Sequence, residues 1–245
     1  TCPAWMSMVT GKDPGSLGFY GFRNRRSYDY NMSFVSSKWV KEKTVWELLG
    51  SRDKKSIVLG VPQTYPPGEA NGILVSGFLT PDTSFNYTYP VELKKEIKKV
   101  VGEYIFDVER GDHDKELEQI YQMTEKRFKL AEHFLQTREW DFFMMVEMGT
   151  DRIQHFFWRY FDSEHPDYIE NNPYQEAIFD YYKYVDKEIG NILKYADQET
   201  LILIVSDHGA QKMTGGFAIN EWLRINGYLV LKDDIESTIS IDELI

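Results

Sequence analysis

The stretch 200-TLILIVSDHG-209 decides the fold, because it joins a long apolar run to an Asp-His-Gly turn. A continuous run of leucine and β-branched residues, without alternation, predicts a strand buried on both faces of a parallel sheet. Asp207 and His208 would then lie at the carboxyl end of a central strand, where open α/β sheets place their ligands. A carboxylate and an imidazole suit a zinc- or manganese-type cation, although an ordinary strand-ending turn gives the same pattern.

A second pair of an acid and an imidazole follows another apolar stretch, 142-FFMMVEM-148. Gly149 marks the end of this predicted strand, and Asp151 and His155 come next at positions i and i+4. If a helix begins here, both side chains lie on the same face. One such pair could be a coincidence, but two pairs at equivalent positions are hard to dismiss.

The opening stretch 1-TCPAWMSMVTGKDPG-15 predicts a helix that begins at Thr1 and stops at Gly11. A hydroxyl at the amino terminus of a helix lies near free backbone N–H groups and the positive end of the helix dipole, which favour bound phosphate. Thr1 is therefore a candidate functional residue. The simpler interpretation is that its side chain only caps the helix.

A small basic and aromatic cluster, 23-RNRRSYDYN-31, stands out in an otherwise acidic chain. Its arginines, Arg23, Arg25 and Arg26, suit bidentate contact with a substrate phosphate. The alternative is a solvated loop.

Composition narrows the class of protein. The chain has 245 residues and a net charge of −11, which argues against a surface that coats nucleic acid and gives no reason to expect binding to anionic membranes. No apolar run approaches the roughly 18 residues of a membrane span. A single cysteine, Cys2, excludes an internal disulfide and favours a reducing cytoplasm.

Apolar strand patterns alternate with amphipathic helical patterns along the chain, which predicts an α/β domain with a mostly parallel sheet and helices on both faces. We expect one domain over residues 1–245, with a lid or insertion around 62–112, where Pro, Gly and Thr are frequent. Predicted helices cover 38–49, 91–101, 112–140, 172–195 and 217–226. Predicted strands cover 57–62, 73–78, 104–108, 142–148 and 200–206.

Three motifs in order, T-C-P-A-W-M-S-M-V-T-G-K-D-P-G, G-T-D-R-I-Q-H-F-F-W and S-D-H-G, give the chain a specific resemblance. It resembles the type I phosphodiesterase/nucleotide pyrophosphatase branch of the alkaline phosphatase superfamily, from Thr1 to about Tyr228. The resemblance implies an alkaline-phosphatase-like three-layer αβα sandwich. It also implies hydrolysis of phosphodiester or nucleotide pyrophosphate bonds in a small phosphate ester such as a nucleotide.

The resemblance also implies roles for individual residues. Thr1 Oγ would attack phosphorus and form a covalent phospho-threonine. Asp151 and His155 would hold one divalent metal ion. Asp207 and His208 would hold a second, which also binds the Thr1 hydroxyl; the metals are expected to be zinc, with manganese or iron as alternatives. Two cations roughly 4 Å apart stabilise the attacking and leaving oxygens of an in-line displacement.

The chain departs from the family pattern at both ends. The family takes a further aspartate from a strand before the nucleophile and a further histidine well after the S-D-H-G turn, and His113, His133 and His165 match neither. We therefore expect a sandwich that is incomplete at both ends, with incomplete ligand sets, which leaves the activity of this fragment open.

Several other functions stay open. The resemblance also admits a phosphomonoesterase, a phosphonate hydrolase, a phosphoglycerate mutase-like enzyme and a metal-poor relative without turnover. A phosphoglycerate mutase would be expected to use serine in place of Thr1. A sulfatase is disfavoured, because Cys2 is followed directly by Pro3 and Trp5 takes the place of its arginine. A hydrolase with an amino-terminal threonine nucleophile is disfavoured by the predicted α/β architecture.

Overall fold

The computed structural model describes residues 1–25 and 31–231. The chain divides into two compact units, Thr1–Gln211 and Lys212–Ile245. The helices are α1 (Cys2–Thr10), α2 (Pro14–Leu17), α3 (Val45–Gly50), α4 (Leu93–Val101), α5 (His113–Thr137), α6 (Gly149–Phe161), α7 (Ala177–Ile192) and α8 (Ile219–Ile225). The strands are β1 (Arg23–Asn24), β2 (Ser33–Phe34), β3 (Ser56–Val61), β4 (Gly72–Ser76), β5 (Thr88–Tyr89) and β6 (Phe142–Met145).

The central sheet has the strand order β5-β4-β3-β6. Strand β3 pairs in parallel with β4 and with β6, and the short β5 pairs antiparallel with β4. All six residues of β3 are buried, as its unbroken apolar run predicts for a strand covered on both faces. The expected α/β fold with a mostly parallel sheet is confirmed.

Helices cover the sheet on both faces and make three layers. Val58 and Val61 of β3 face one cluster, which includes Trp5 and Met6 of α1. Ile57 and Leu59 face the opposite cluster; its helical members are Leu93, Ile97, Leu130, Ala131 and Phe134 from α4 and α5. Ile57 and Leu59 share a face because side chains alternate along a strand, and the β-bulge between Leu59 and Val61 returns Val61 to the face of Val58. Each face of β3 therefore has its own apolar layer.

A third apolar cluster joins α5, α6 and α7. It includes Ile153 and Phe157 of α6, both fully buried, and Tyr181 of α7. This packing fixes α6 beside the carboxyl end of β6, because only three residues separate Met145 from Gly149. The buried face of α6, the helix that carries Asp151 and His155, therefore packs against α5 and α7.

The predicted strand over 200–206 is wrong. Residues Leu201 to Val205 lie in no strand and are between 50% and 82% exposed. A parallel strand is stabilised by its backbone ladder and by cover on both faces. Within the described residues β6 is the last strand at its end of the sheet, its residues are only partly buried, and no ladder joins it to this run.

Two further predictions need correction. The segment 104–108 is a loop, although Tyr104, Phe106 and Val108 are buried, because no neighbouring strand pairs with it in the described residues. The predicted helix over 38–49 is a short 3₁₀ turn followed by α3. The segment 62–112 supplies β4, β5 and α4 to the sheet and its cover, and its role as a lid stays a prediction.

No described helix combines the length and the apolar character that crossing a bilayer requires. The described part of the second unit, 212–231, contains α8.

Candidate active site

Thr1 occupies the N-cap position of α1, but its side chain makes no capping hydrogen bond. Its Oγ1 lies 3.4 Å from His208 Nε2. Burial of Cys2, Trp5 and Met6 fixes the first turn of the helix and so the position of Thr1. The simpler interpretation, a threonine that serves only as a cap, does not account for a hydroxyl that faces an imidazole 207 residues away.

Asp151 and His155 lie on one face of α6, as their spacing predicts. Asp151 Oδ1 is 3.4 Å from His155 Nε2. Asp151 is partly buried, which raises the pKa of its carboxyl. The contact with His155 and the charges of Arg152 and His208 outweigh burial, so the pKa is lowered overall. Asp151 is therefore a carboxylate at neutral pH, the form that binds cations.

The turn at Asp207 and His208 lies beside Thr1 although the run before it is not a strand. Asp207 Oδ2 is 3.3 Å from His208 Nε2 and 3.7 Å from the Thr1 backbone nitrogen. His208 Nδ1 lies 2.9 Å from the carbonyl oxygen of Gly209. A carbonyl oxygen only accepts, so Nδ1 donates a hydrogen bond to it, and the other ring nitrogen, Nε2, faces the site.

His208 Nε2 joins the separate segments into one site. Besides Thr1 Oγ1 and Asp207 Oδ2, it lies 3.8 Å from Asp151 Oδ1. The structure thus brings together all five residues that the sequence singled out at the predicted catalytic and metal positions. They come from the start of α1, the first two turns of α6 and the turn after residue 206.

The donor atoms fit divalent cations in their chemistry. Asp207 Oδ2 is buried and accepts no hydrogen bond, and its polar neighbours are His208 Nε2 at 3.3 Å and the Thr1 backbone nitrogen at 3.7 Å. A bound cation would satisfy this oxygen. Asp–His pairs are suitable ligands for zinc, manganese or iron. No group of three or more His, Cys, Asp or Glu side chains in the described ranges has the arrangement of a complete metal site. Metal binding by the two pairs therefore stays a prediction.

A buried polar network supports α6 at the point where it begins. Glu147 Oε1 accepts a hydrogen bond from the Gly149 backbone nitrogen at 2.7 Å and lies 3.0 Å from Thr124 Oγ1. The Tyr181 hydroxyl lies 3.2 Å from the same oxygen. Burial, and then the Glu147 charge, raise the pKa of Tyr181 well above its usual value, so the phenol stays a hydrogen-bond donor.

Sequence reasoning missed this network. The one available signal was a charged residue, Glu147, inside an otherwise apolar strand pattern. Buried charges of this kind are rare unless they are paired or hydrogen-bonded.

The three arginines predicted to bind phosphate differ in where the structure places them. Arg23 lies on β1 with its guanidinium 4.6 Å from the ring centroid of Phe34. Arg25 follows β1 and is exposed. Arg26 lies outside the described residues. Phosphate binding by this cluster stays a prediction.

Cys2, next to the proposed nucleophile, is 1% exposed, and burial raises the pKa of its thiol from 9.0 to about 11. We expect iodoacetamide at pH 8 to alkylate Cys2 at least about 100-fold more slowly in the folded chain than in urea, because the thiolate is the reactive form. Since the folded pKa is the higher one, this burial stabilises the fold below pH 9.0, and the contribution is lost towards pH 11.

Mass spectrometry of alkylated peptides measures both rates for Cys2. A Cys2→Ala variant provides the background of modification at other residues. Equal rates in the folded and unfolded chain would show that the thiol is accessible in the native state.

Comparison with protein families matches residues 1–242 to the family described as type I phosphodiesterase / nucleotide pyrophosphatase. The matched range contains Thr1, both Asp–His pairs and the helices between them. No curated protein and no solved structure matches the chain.

Proposed function

The chain belongs to the type I phosphodiesterase/nucleotide pyrophosphatase family, whose members hydrolyse phosphodiester bonds, and we propose that it does so through a covalent phospho-threonine on Thr1. The observation that carries this proposal is the Thr1 hydroxyl, which is free of the helix cap and faces His208 Nε2 at 3.4 Å. Its substrate is a small phosphate ester such as a nucleotide or dinucleotide.

In the first step, Thr1 Oγ forms a bond to phosphorus and loses its proton to solvent. The bond from phosphorus to the leaving oxygen breaks, and that oxygen departs with the electron pair and takes up a proton from solvent. In the second step, water attacks the phosphorylated Thr1 and loses a proton to solvent, the bond between phosphorus and Oγ breaks, and Oγ takes up a proton to regenerate Thr1. The start of α1 favours the charged phosphoryl group, because free backbone N–H groups and the helix dipole lie there.

Asp151 with His155, and Asp207 with His208, would hold the two divalent cations of this mechanism. When bound, such cations lower the pKa of a nearby hydroxyl and stabilise the negative charge on the attacking and leaving oxygens. The residues themselves align the site. His208 Nε2 lies between the two carboxylates and Thr1, and its Nδ1 contact with Gly209 fixes the ring orientation.

The test compares two chromogenic substrates and measures bound metal. We expect the protein to hydrolyse bis-p-nitrophenyl phosphate at least roughly tenfold faster than p-nitrophenyl phosphate, a difference of about 1.4 kcal/mol in barrier. Removal of metal with a chelator should abolish both activities, and zinc should restore them, with manganese and iron as the comparison.

The alternatives predict different results. Faster hydrolysis of the monoester would identify a phosphomonoesterase, and turnover of a phosphonate ester would identify a phosphonate hydrolase. Phosphoryl transfer between the hydroxyls of one acceptor would identify a phosphoglycerate mutase-like enzyme. A protein with neither metal nor turnover would be a non-catalytic relative.

A further inference from the structure

The guanidinium of Arg152, on α6 next to Asp151, is occupied on two sides by carboxylates. Its Nη1 donates to Asp151 Oδ2 at 2.8 Å. Its Nε and Nη2 donate to the two carboxylate oxygens of Asp107 at 2.5 and 2.7 Å. The Arg152 side chain is only 18% exposed, and this bidentate pairing is the geometry in which arginine binds a carboxylate most strongly.

The two carboxylate oxygens of Asp151 have different partners. Oδ2 is taken by the Arg152 hydrogen bond, whereas Oδ1 points to His155 Nε2 at 3.4 Å and to His208 Nε2 at 3.8 Å. The terminal torsion of an aspartate is broad, so an unrestrained carboxylate can rotate and present either oxygen or both. The hydrogen bond from Arg152 restricts that rotation.

Asp107 is itself fixed, although it lies in the loop between α4 and α5. The neighbours Tyr104, Phe106 and Val108 are buried and anchor the loop. A second arginine, Arg127 of α5, reinforces it: Nε donates to the Tyr104 hydroxyl at 3.2 Å. The same guanidinium donates through Nη1 to the Val146 carbonyl at 2.9 Å, at the end of β6. The loop and the strand that leads into α6 are thus tied to one buried side chain.

We propose that Asp107 and Arg152 are positioning residues that hold Asp151 so that Oδ1 alone is presented to the cation bound with His155. The proposal rests on the proposed function, in which Asp151 is a metal ligand. It gives the loop 102–112 a defined role at the site, although Asp107 lies 45 residues from Arg152 in sequence. A purely structural ion pair would instead affect folding stability and leave metal binding unchanged.

The test measures zinc affinity by competition with a chromophoric chelator, together with thermal unfolding of the metal-free protein. We expect Arg152→Ala and Asp107→Asn to weaken zinc binding about 10- to 100-fold, the range typical of residues that orient a metal ligand. The value of kcat should fall with little change in KM, because the Arg152 donors are committed to carboxylates and do not reach substrate. The visible spectrum of the cobalt form should change in both variants.

Matched controls separate positioning from general damage. Arg159→Ala removes the same residue type from the same helix, where its partners are His113 and Tyr160. Glu109→Gln removes a charge from the same loop as Asp107. Both controls should keep the wild-type zinc affinity. Added ethylguanidinium should restore part of the zinc affinity and the cobalt spectrum of Arg152→Ala, since it can occupy the space between the two carboxylates.

Failure of this inference is distinguishable from failure of the proposed function. If the wild-type protein binds zinc and turns over diester, and Arg152→Ala does so with unchanged affinity, the positioning role is refuted and the function stands. If affinity falls equally in Arg159→Ala, the effect is general instability, and the positioning role is again refuted. A wild-type protein that binds none of zinc, manganese and iron and hydrolyses no diester would refute the proposed function, and this inference with it.

Discussion

Thr1→Ala should lower the rate of phosphodiester hydrolysis by about 10⁴-fold or more, which is the scale of effect when a covalent nucleophile is removed. Its hydroxyl is the one that faces His208 Nε2, at 3.4 Å. Bound metal should stay near the wild-type level, because both Asp–His pairs remain in place. Initial rates with bis-p-nitrophenyl phosphate and elemental analysis of the same samples give the two quantities.

Three matched variants define what this result means. Thr1→Ser keeps a hydroxyl and should keep measurable turnover. Acid quenching followed by mass spectrometry should detect a p-nitrophenyl phosphoryl group on residue 1 in both active proteins. Thr137→Ala removes a threonine hydroxyl on the exposed side of α5, where it donates to the His133 carbonyl, and should change nothing at the site. Asp207→Ala should instead reduce the metal content, because it removes a proposed metal ligand. Near-wild-type rates in Thr1→Ala would falsify the nucleophile assignment.

Local geometry explains which parts of the site were predictable from sequence. The i, i+4 spacing of Asp151 and His155 fixes their common face once a helix is inferred, and the structure has that helix. The buried strand β3, with its apolar run from Ile57 to Val61, follows from the same kind of argument. Both inferences need only neighbours along the chain. The turn at Asp207 and His208 was placed beside Thr1 for a different reason, namely the resemblance in motif order.

Features that depend on residues far apart in the sequence could not be predicted from local patterns. The run Leu201 to Val205 has the composition of a buried strand, yet composition does not supply the neighbouring strand that would bury it. The loop around Tyr104 is buried but forms no strand, because no described strand lies beside it to pair with its backbone. The contact between Asp107 and Arg152 joins residues that are 45 positions apart, and nothing in the local pattern of either segment predicts the other.

Gly149→Ala is expected to have the largest effect on stability among single substitutions near the site. A Cβ at this position would lie 1.9 Å from the Tyr181 hydroxyl oxygen and 2.8 Å from both Glu147 Oε1 and Thr124 Oγ1. These groups are packed inside the protein, so relief of the overlap must displace the network or the start of α6. Overpacking of this kind costs about 3 kcal/mol of unfolding free energy, and the loss is measurable by urea denaturation.

The same substitution should also lower activity more than its effect on stability explains. Gly149 begins the helix that carries Asp151 and His155, and displacement of a reacting group by about 1 Å costs on the order of 10²-fold in rate. Rates should therefore be measured well below the unfolding transition, with circular dichroism to confirm that the protein is folded.

Gly190→Ala supplies the control for Gly149→Ala, because a Cβ at Gly190 on α7 meets no atom within 4 Å. In a helix interior that change should stabilise the protein by about 0.5–1 kcal/mol. Tyr181→Phe tests the cause directly, since it removes the oxygen with the closest overlap; in that background Gly149→Ala should cost clearly less. An equal cost in both backgrounds would place the strain elsewhere, and an unchanged stability would mean that the start of α6 tolerates a side chain. The junction between β6 and α6 holds the candidate site in place only if neither of these outcomes is found.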